Sequence, residues 1–168
     1  MNKLIRLLKH RWRDETDARH ALGGGALERI QQRVQASERH HSGEIRVCIE
    51  ASLPLSYLWR NAKPRERAVT LFGKLRVWDT EYNNGVLIYL LLAERSIDIV
   101  ADRGVSRHLP QEQWDAVVAS MRESFRIGRF EEGVIAAIEA VDRVLVKHFP
   151  LAVGAVNPNE LPDEPQLR

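Results

Sequence analysis

From Glu44 to Glu50 the chain alternates, with Ile45, Val47 and Ile49 interleaved with Arg46, Cys48 and Glu50. A period of two marks a strand, here with one apolar and one mixed face. That pattern suits a strand near a sheet edge, or one with a partly covered face. From Pro64 to Leu75 the period changes. Ala68, Leu71, Phe72 and Leu75 recur at helical spacing behind a proline suited to a first turn. Val77 to Leu92 then divides into a polar half carrying Asp79, Glu81, Asn83 and Asn84, closed by Gly85, and an apolar half, Val86 to Leu92, without a charge. A continuous apolar run predicts a strand buried on both faces. Strand, helix and buried strand make a βαβ unit with parallel strands and a right-handed crossover.

Ala93 to Ser96 is a tight connection, and Ile97 to Ala101 reads as a further strand, antiparallel to the buried one. Two long helices follow. One runs from Pro110 to about Ile127, with Trp114, Val117, Val118, Met121 and Phe125 on its apolar face and Gly128 at its stop. The other runs from about Phe130 to His148, with Val134, Ile135, Ile138, Val141, Leu145 and Val146 inward. Its first-turn Glu131 and Glu132 and last-turn Lys147 and His148 complement the helix dipole. Upstream, Gly23-Gly24-Gly25 is a flexible break, and a helix from Ala26 to Glu38 carries Leu27, Ile30 and Val34 on one face. The pattern predicts a mixed sheet with helices rather than a doubly wound one.

The ends differ in character. Residues 1–23 form a basic amphipathic segment. Within 2–13, Leu4, Leu8 and Trp12 repeat at helical spacing among Lys3, Arg6, Lys9, Arg11 and Arg13. That stripe has two uses: packing on the domain, or peripheral contact with a membrane surface or a partner through residues 1–13. Residues 24–150 hold the predicted elements. Residues 151–168 are acidic, interrupted by Pro158, Pro162 and Pro165, and too poor in apolar side chains to stay ordered alone.

Charge and cysteine content narrow the functional classes. A chain of 168 residues has room for one ordinary core without staples. The net charge of +2 is too small for a dedicated nucleic-acid binder. A single cysteine, Cys48, excludes an internal disulfide, and its strand position reads as packing. A nucleophilic Cys48 with His40 or His41 as base is the less favoured alternative, as is a metal held by the adjacent His40-His41 pair. The glycine triplet has neither a preceding strand nor a following Lys-Ser/Thr, so it is no phosphate loop. No apolar run approaches the roughly 20 residues of a spanning helix. The interrupted N-terminus also lacks the apolar core and cleavage site of a secretory signal, which predicts a cytoplasmic protein.

Two blocks carry a family resemblance. Asn84-Gly85-Val86-Leu87-Ile88, followed by a hairpin around Glu94-Arg95 and Ile97-Asp98-Ile99-Val100 ending near Gly104, resembles the TPM domain. So does the run Phe125-Arg126-Ile127-Gly128-Arg129-Phe130-Glu131-Glu132-Gly133 that joins the last two helices. The resemblance spans about Gly43 to Phe149. It implies a three-layer α/β/α sandwich with a mixed central sheet of about four strands and helices on both faces. The family includes thylakoid-lumen proteins linked to photosystem II repair, with acid phosphatase activity, and members that bind calcium beside the sheet. Family genes near those of LemA-type membrane proteins make such a protein the partner the resemblance suggests.

This chain departs from the family pattern at three carboxylate positions. Asn83 stands where an acid usually precedes the glycine of the first block. Val100-Ala101-Asp102-Arg103-Gly104 replaces Glu-x-Gly-x-Gly, and Pro110-Gln111 replaces an acid at the next helix start. Asp102 is gained. The oxygen donors left for calcium or magnesium are Glu81, Asn83, Asn84 and Asp102, with Arg103 to face a phosphate. Asn84 precedes its strand and Asp102 follows an antiparallel neighbour, so both fall at one end of the sheet. The competing reading makes Asn83-Asn84-Gly85 turn residues, Arg103 a local ion-pair partner of Asp102, and the neighbouring Trp78 a core anchor. Two functions follow. One is a non-catalytic binding or scaffold domain in the cytoplasm, at the inner membrane face. The alternative is a divalent-metal-assisted phosphatase of phosphate monoesters.

Overall fold

A computed structural model of the chain describes residues 6–8, 10, 15–152 and 154–168, apart from the side chains of Glu15, Ser120 and Arg122. Its elements are α1 (Glu15–Leu22), α2 (Ala26–Ser37), β1 (Glu44–Glu50), α3 (Leu55–Trp59), α4 (Pro64–Lys74), β2 (Gly85–Leu91), β3 (Ser96–Ala101), α5 (Arg103–Ser106), α6 (Gln111–Arg126), α7 (Phe130–His148) and β4 (Gln166–Leu167). The four strands form one mixed sheet in the order β3-β2-β1-β4. β1 and β2 are parallel, with Glu44 opposite Gly85 and Glu50 opposite Leu91. β2 and β3 are antiparallel, with Val86 opposite Ala101.

Alternation along the strands separates two cores. Ile45, Val47, Ile49, Val86, Ile88, Leu90, Ile97 and Ile99 face the helices α1, α2, α6 and α7. Cys48, Leu87, Tyr89, Leu91 and Val100 face the other side, where Leu58 of α3 and Ala68 and Leu71 of α4 cover them. This is the α/β/α sandwich, and β2 is buried along its whole length. Trp114 and Phe125 of α6 and Val134, Ile138, Val141 and Leu145 of α7 complete the larger core. Val146, expected on the inward stripe, is 39% exposed. It falls one position past Leu145, which takes the inward place.

β1 lies near the sheet edge, as the alternation allows, with only the two-residue β4 beyond it; it is not half covered, however, but buried on both faces. Its mixed face is closed by polar bonds that hydropathy does not register. Arg46 donates to the carbonyls of Pro162 and Glu164, each at 2.5 Å. Glu50 forms a buried ion pair with Arg67 at 2.5 Å and accepts from Tyr89 Oη at 2.6 Å. Burial and the Glu50 carboxylate hold the Tyr89 phenol far above its usual range.

The C-terminal segment supplies the other neighbour of β1. Gln166 and Leu167 pair with Cys48 and Ile49. Arg168 N–H donates to Ile49 O and Ala51 N–H donates to Arg168 O, both near 2.9 Å. Leu161, Pro165 and Leu167 are buried. The expectation that residues 151–168 lack order is thus corrected in 154–168. The segment lacks apolar mass, but Arg46 and the open edge of β1 satisfy its backbone.

Candidate functional site

The antiparallel pairing of β2 and β3 brings the end of the 75–84 loop against the start of α5. Asp102 N–H donates to Gly85 O at 2.9 Å, and Gly104 N–H donates to Asn83 O at 2.9 Å. Gly104 makes this approach possible, and Gly85 lets the 75–84 loop close on its own first turn. A Cβ on Gly85 would lie 2.0 Å from Val77 O, and one on Gly104 would lie 2.5 Å from Asn83 O and 2.7 Å from Tyr82 O. Asn83 takes the left-handed conformation at φ 52°, which asparagine accepts more readily than most residues.

The polar side chains here are engaged with one another. Arg103 Nε donates to Asn83 Oδ1 at 2.8 Å. Asp102 Oδ1 accepts from the Arg103 backbone N–H at 2.7 Å, capping α5. Asn84 is fully buried. Its backbone N–H donates to Thr80 Oγ1 at 3.0 Å and its Nδ2 to Ser42 O at 2.9 Å. Glu81 points away into solvent, while its backbone N–H donates to the Glu160 carboxylate at 3.0 Å. Asn83, Asp102 and Arg103 are therefore brought together, while Asn84 turns its side chain to Ser42 and the exposed Glu81 side chain is not among them.

This donor set does not fit calcium or magnesium. Calcium takes about six to eight oxygens, several of them carboxylate. Asn83 Oδ1 is occupied by a guanidinium, which would repel a cation. Within this set the buried oxygens left without partners are Asn84 Oδ1 and Asp102 Oδ2. Among the described residues, no three His, Cys, Asp or Glu side chains converge where an ion could be held. Arg103 makes no ion pair with Asp102 of the kind the turn reading expected; its guanidinium ties down Asn83 instead. Trp78 is no core anchor either. It is 50% exposed, with its indole N–H directed to Gly73 O at 3.3 Å.

Beside these loops lies a carboxylate chain that sequence reasoning missed. Glu38 accepts from Ile45 N–H at 2.9 Å, and Glu44 accepts from Leu161 N–H at 3.1 Å. Burial, and then the neighbouring Glu44 and Asp163, push the Glu38 carboxyl up to about 9. Burial also raises Glu44. Glutamates flanking β1 were the available signal, but their burial depends on a segment more than 100 residues away. His41 is likewise fully buried, its Nε2 2.9 Å from Ser37 Oγ, whose hydroxyl lies 2.7 Å from Asp142 Oδ1. Burial pushes its imidazole down to about 4, against the pull of Asp142. Its ring thus serves a buried polar network and is not paired with His40 as a metal ligand. Cys48 is fully buried, and desolvation pushes its thiol up to about 12, which makes it inert as a nucleophile.

The opposite end of the sheet is built differently. Here residues 6–8 and 10 are helical and fastened to the domain. Arg6 is buried and donates to Glu94 at 2.7 Å, Asn61 Oδ1 at 2.9 Å and Ala62 O at 2.6 Å. Leu53 N–H donates to His10 Nδ1 at 3.0 Å, so the neutral ring carries its proton on Nε2, which donates to Glu94 at 3.1 Å. Burial raises the Glu94 carboxyl, but the bonds from His10 and Arg6 outweigh this and hold it below its usual range. Leu8 is 57% exposed. The expected inward stripe is therefore corrected at Leu8: Arg6, Leu7 and His10 face the domain. The rest of that stripe, Leu4 and Trp12, lies outside the described residues.

Comparison with known proteins places this architecture. The chain resembles the NMR structure of the BA42 protein from the psychrophilic bacterium Bizionia argentinensis, with a TM-score of 0.73 and 26% identity, covering 87% of this chain and 94% of that one. It shares its fold with the N-terminal domain of a P. gingivalis protein, solved by solution NMR, at a TM-score of 0.64 and 23% identity, covering 79% of this chain and 83% of that one. No curated protein matches the sequence. The profile of the TPM domain matches residues 16–144, which take in α1 through most of α7 and both loops at the Gly85 end, and the chain therefore belongs to the TPM domain family.

Proposed function

We propose that this TPM domain is a non-catalytic binding domain acting in the cytoplasm at the inner face of the membrane, with residues 1–13 making the peripheral contact. The observation that carries this reading is the internal use of the Gly85-end side chains. Catalysis on a phosphate ester requires cationic or hydrogen-bonding groups aimed at the reacting oxygens. Here Arg103 is directed to Asn83, Asn84 to Ser42, and Asp102 to the start of α5. The outward turn of Leu8 supports the contact role, since the domain holds Arg6, Leu7 and His10 and leaves this apolar side chain in solvent. No helix among the described residues is long and apolar enough to cross a membrane, so contact would be peripheral.

The test is hydrolysis of a generic phosphate monoester with calcium or magnesium added, by the full chain and by Asp102→Ala. The expected result is no turnover above the uncatalysed rate for either protein. Turnover by the full chain that disappears in Asp102→Ala would overturn the reading in favour of a metal-assisted phosphatase.

A further inference from the structure

The polar bonds of the N-terminal segment define more than an attachment. Arg6 is bonded to Asn61 and Ala62, just past the end of α3, and His10 to Leu53, just before its start. Residues 6–10 therefore run alongside α3 in the opposite direction. Leu8, midway between the two fixed points, is exposed. On α3, Leu55 is 67% exposed and Trp59 is 71% exposed. They are four residues apart, which puts them on one helix face. A five-residue helix that buries Leu58 and turns Leu55 and Trp59 outward, beside an outward leucine, is an apolar surface left uncovered by the domain.

Charge identifies what would cover it. Residues 1–13 contain Lys3, Arg6, Lys9, Arg11 and Arg13 and no acidic residue, and of these Arg6 is neutralised by Glu94. Arg60 and Lys63 follow within four residues of Trp59 and are both exposed, Arg60 paired with the exposed Glu66 at 2.6 Å. Leucine and tryptophan in a stretch of chain rich in lysine and arginine suit the boundary between lipid headgroups and acyl chains. There the apolar groups enter the interface and the cations meet anionic lipid. We propose that α3 and the N-terminal segment together form a docking surface for an anionic lipid bilayer, with Leu8, Leu55 and Trp59 as the inserting side chains. This rests on the binding-domain reading and names the partner.

The full chain is mixed with phosphatidylcholine vesicles, with or without about a third phosphatidylglycerol, and partitioning is measured by co-sedimentation. The expected result is partitioning at least about tenfold stronger onto the anionic vesicles, weakened by high salt. Leu8→Ser and the double variant Leu55→Ser/Trp59→Ser should each lower it by about fivefold or more. Val156→Ser removes another exposed side chain, 86% exposed on the C-terminal segment, and should leave partitioning unchanged. An unchanged thermal midpoint in the variants keeps the comparison to one of surfaces. Equal partitioning onto both vesicle types would overturn the proposal, as would full binding by the double variant. So would a vesicle-independent dimer that Trp59→Ser dissolves. Absence of vesicle binding together with absence of turnover would overturn this surface and the membrane contact through residues 1–13, and leave the non-catalytic binding reading standing. Turnover dependent on Asp102 would overturn that reading whatever the vesicles show.

Discussion

Where β1 and β2 begin, the loops interlock: Gly85, Asn83, Asp102 and Gly104 bond backbone to backbone, and Arg103 and Asn84 reinforce the junction from the side. Where the same strands finish, one carboxylate, Glu94, holds two basic side chains from a segment more than 80 residues away, and large apolar side chains remain outside. Polar residues crowd both ends. At the first most of them satisfy one another over short distances, and two of their buried oxygens, Asn84 Oδ1 and Asp102 Oδ2, are left over. At the second they fasten a segment whose other face is free. The lesson is that oxygen-rich loops do not by themselves make a site; what matters is whether their donors and acceptors are already used. The carboxyl ends of the parallel strands are also where open α/β sheets commonly place ligands, and in this protein that is the end with uncommitted surface.

The largest expected effect tests the interlocked end. Gly85→Ala places a methyl group 2.0 Å from the Val77 carbonyl, and that backbone cannot yield without parting the start of β2 from the turn after α4, which displaces the Asn83–Gly85 side of the junction. A loss of about 3–5 kcal/mol is expected in urea unfolding, at the upper end for a single substitution. A loss under about 1 kcal/mol would mean the loops slide freely, and the contrast between the ends would fail.

Glu38→Gln follows, with the opposite sign. The folded-state carboxyl is raised to about 9 from an ordinary value of 4.5. The folded protein thus holds a proton that the unfolded chain releases, and stability is fully present below about pH 4.5 and lost as pH rises toward 9. Glutamine keeps the acceptor for Ile45 N–H and cannot ionise beside Glu44 and Asp163. The variant should be more stable than the parent by about 1–3 kcal/mol at pH 8 and equal to it at pH 4.5. His41 works in the other direction. Its imidazole is depressed to about 4, so protonation favours the unfolded chain and stability falls as pH drops from about 6.5 toward 4. Denaturant midpoints between pH 4 and 9 in the parent, Glu38→Gln and His41→Asn separate the two groups.

Glu94→Ala tests the other end. Removing one partner of a buried ion pair can cost about 3–5 kcal/mol where the survivor is trapped. Arg6 and His10 are not trapped, because their segment can lift off and resolvate them. The global cost should therefore be about 1–2 kcal/mol, with the larger change in trypsin cleavage near the N-terminus, which should accelerate several-fold. Acid should act the same way. Glu94 is held below its usual range, so the clasp is present at neutral pH and lost as pH falls through the depressed value. A cost equal to that of Gly85→Ala would make the segment part of the core and remove the distinction.

How much of this was legible in the sequence divides along physical lines. β1, β2, β3, α2, α4, α6 and α7 were readable because burial imposes a period on side chains. α1, α3, α5 and β4 were not predicted. Three are short, and β4 is two residues held by bonds from Arg46 and the edge of β1, which leave no hydropathic trace. The meeting of the Asn83–Gly85 turn with Asp102 followed from antiparallel topology alone. The orientation of Glu81 did not, since it depends on Glu160 occupying its backbone N–H. The N-terminal face was misread because hydropathy counts arginine as outward, and Arg6 is buried by a glutamate 88 positions away.

The smallest effect, and the one able to invert the comparison, is that of Asp102→Ala. Its Oδ1 caps the four-residue α5, and caps are worth about 0.5–2 kcal/mol. Its Oδ2 is buried without a partner, so removing the side chain also relieves an unsatisfied oxygen. A net loss of about 0.5 kcal/mol is expected. The informative measurement is the same unfolding curve with millimolar calcium. A bound ion stabilises the folded state in proportion to the logarithm of its concentration over its dissociation constant. The parent and Asp102→Ala should show no calcium-dependent shift, because Asn83 Oδ1 is held by Arg103. A shift in the parent that vanishes in the variant would show that Arg103 releases Asn83 when calcium arrives. The interlocked loops would then be a resting state of a site, and the uncommitted surface would lie at both ends of the sheet.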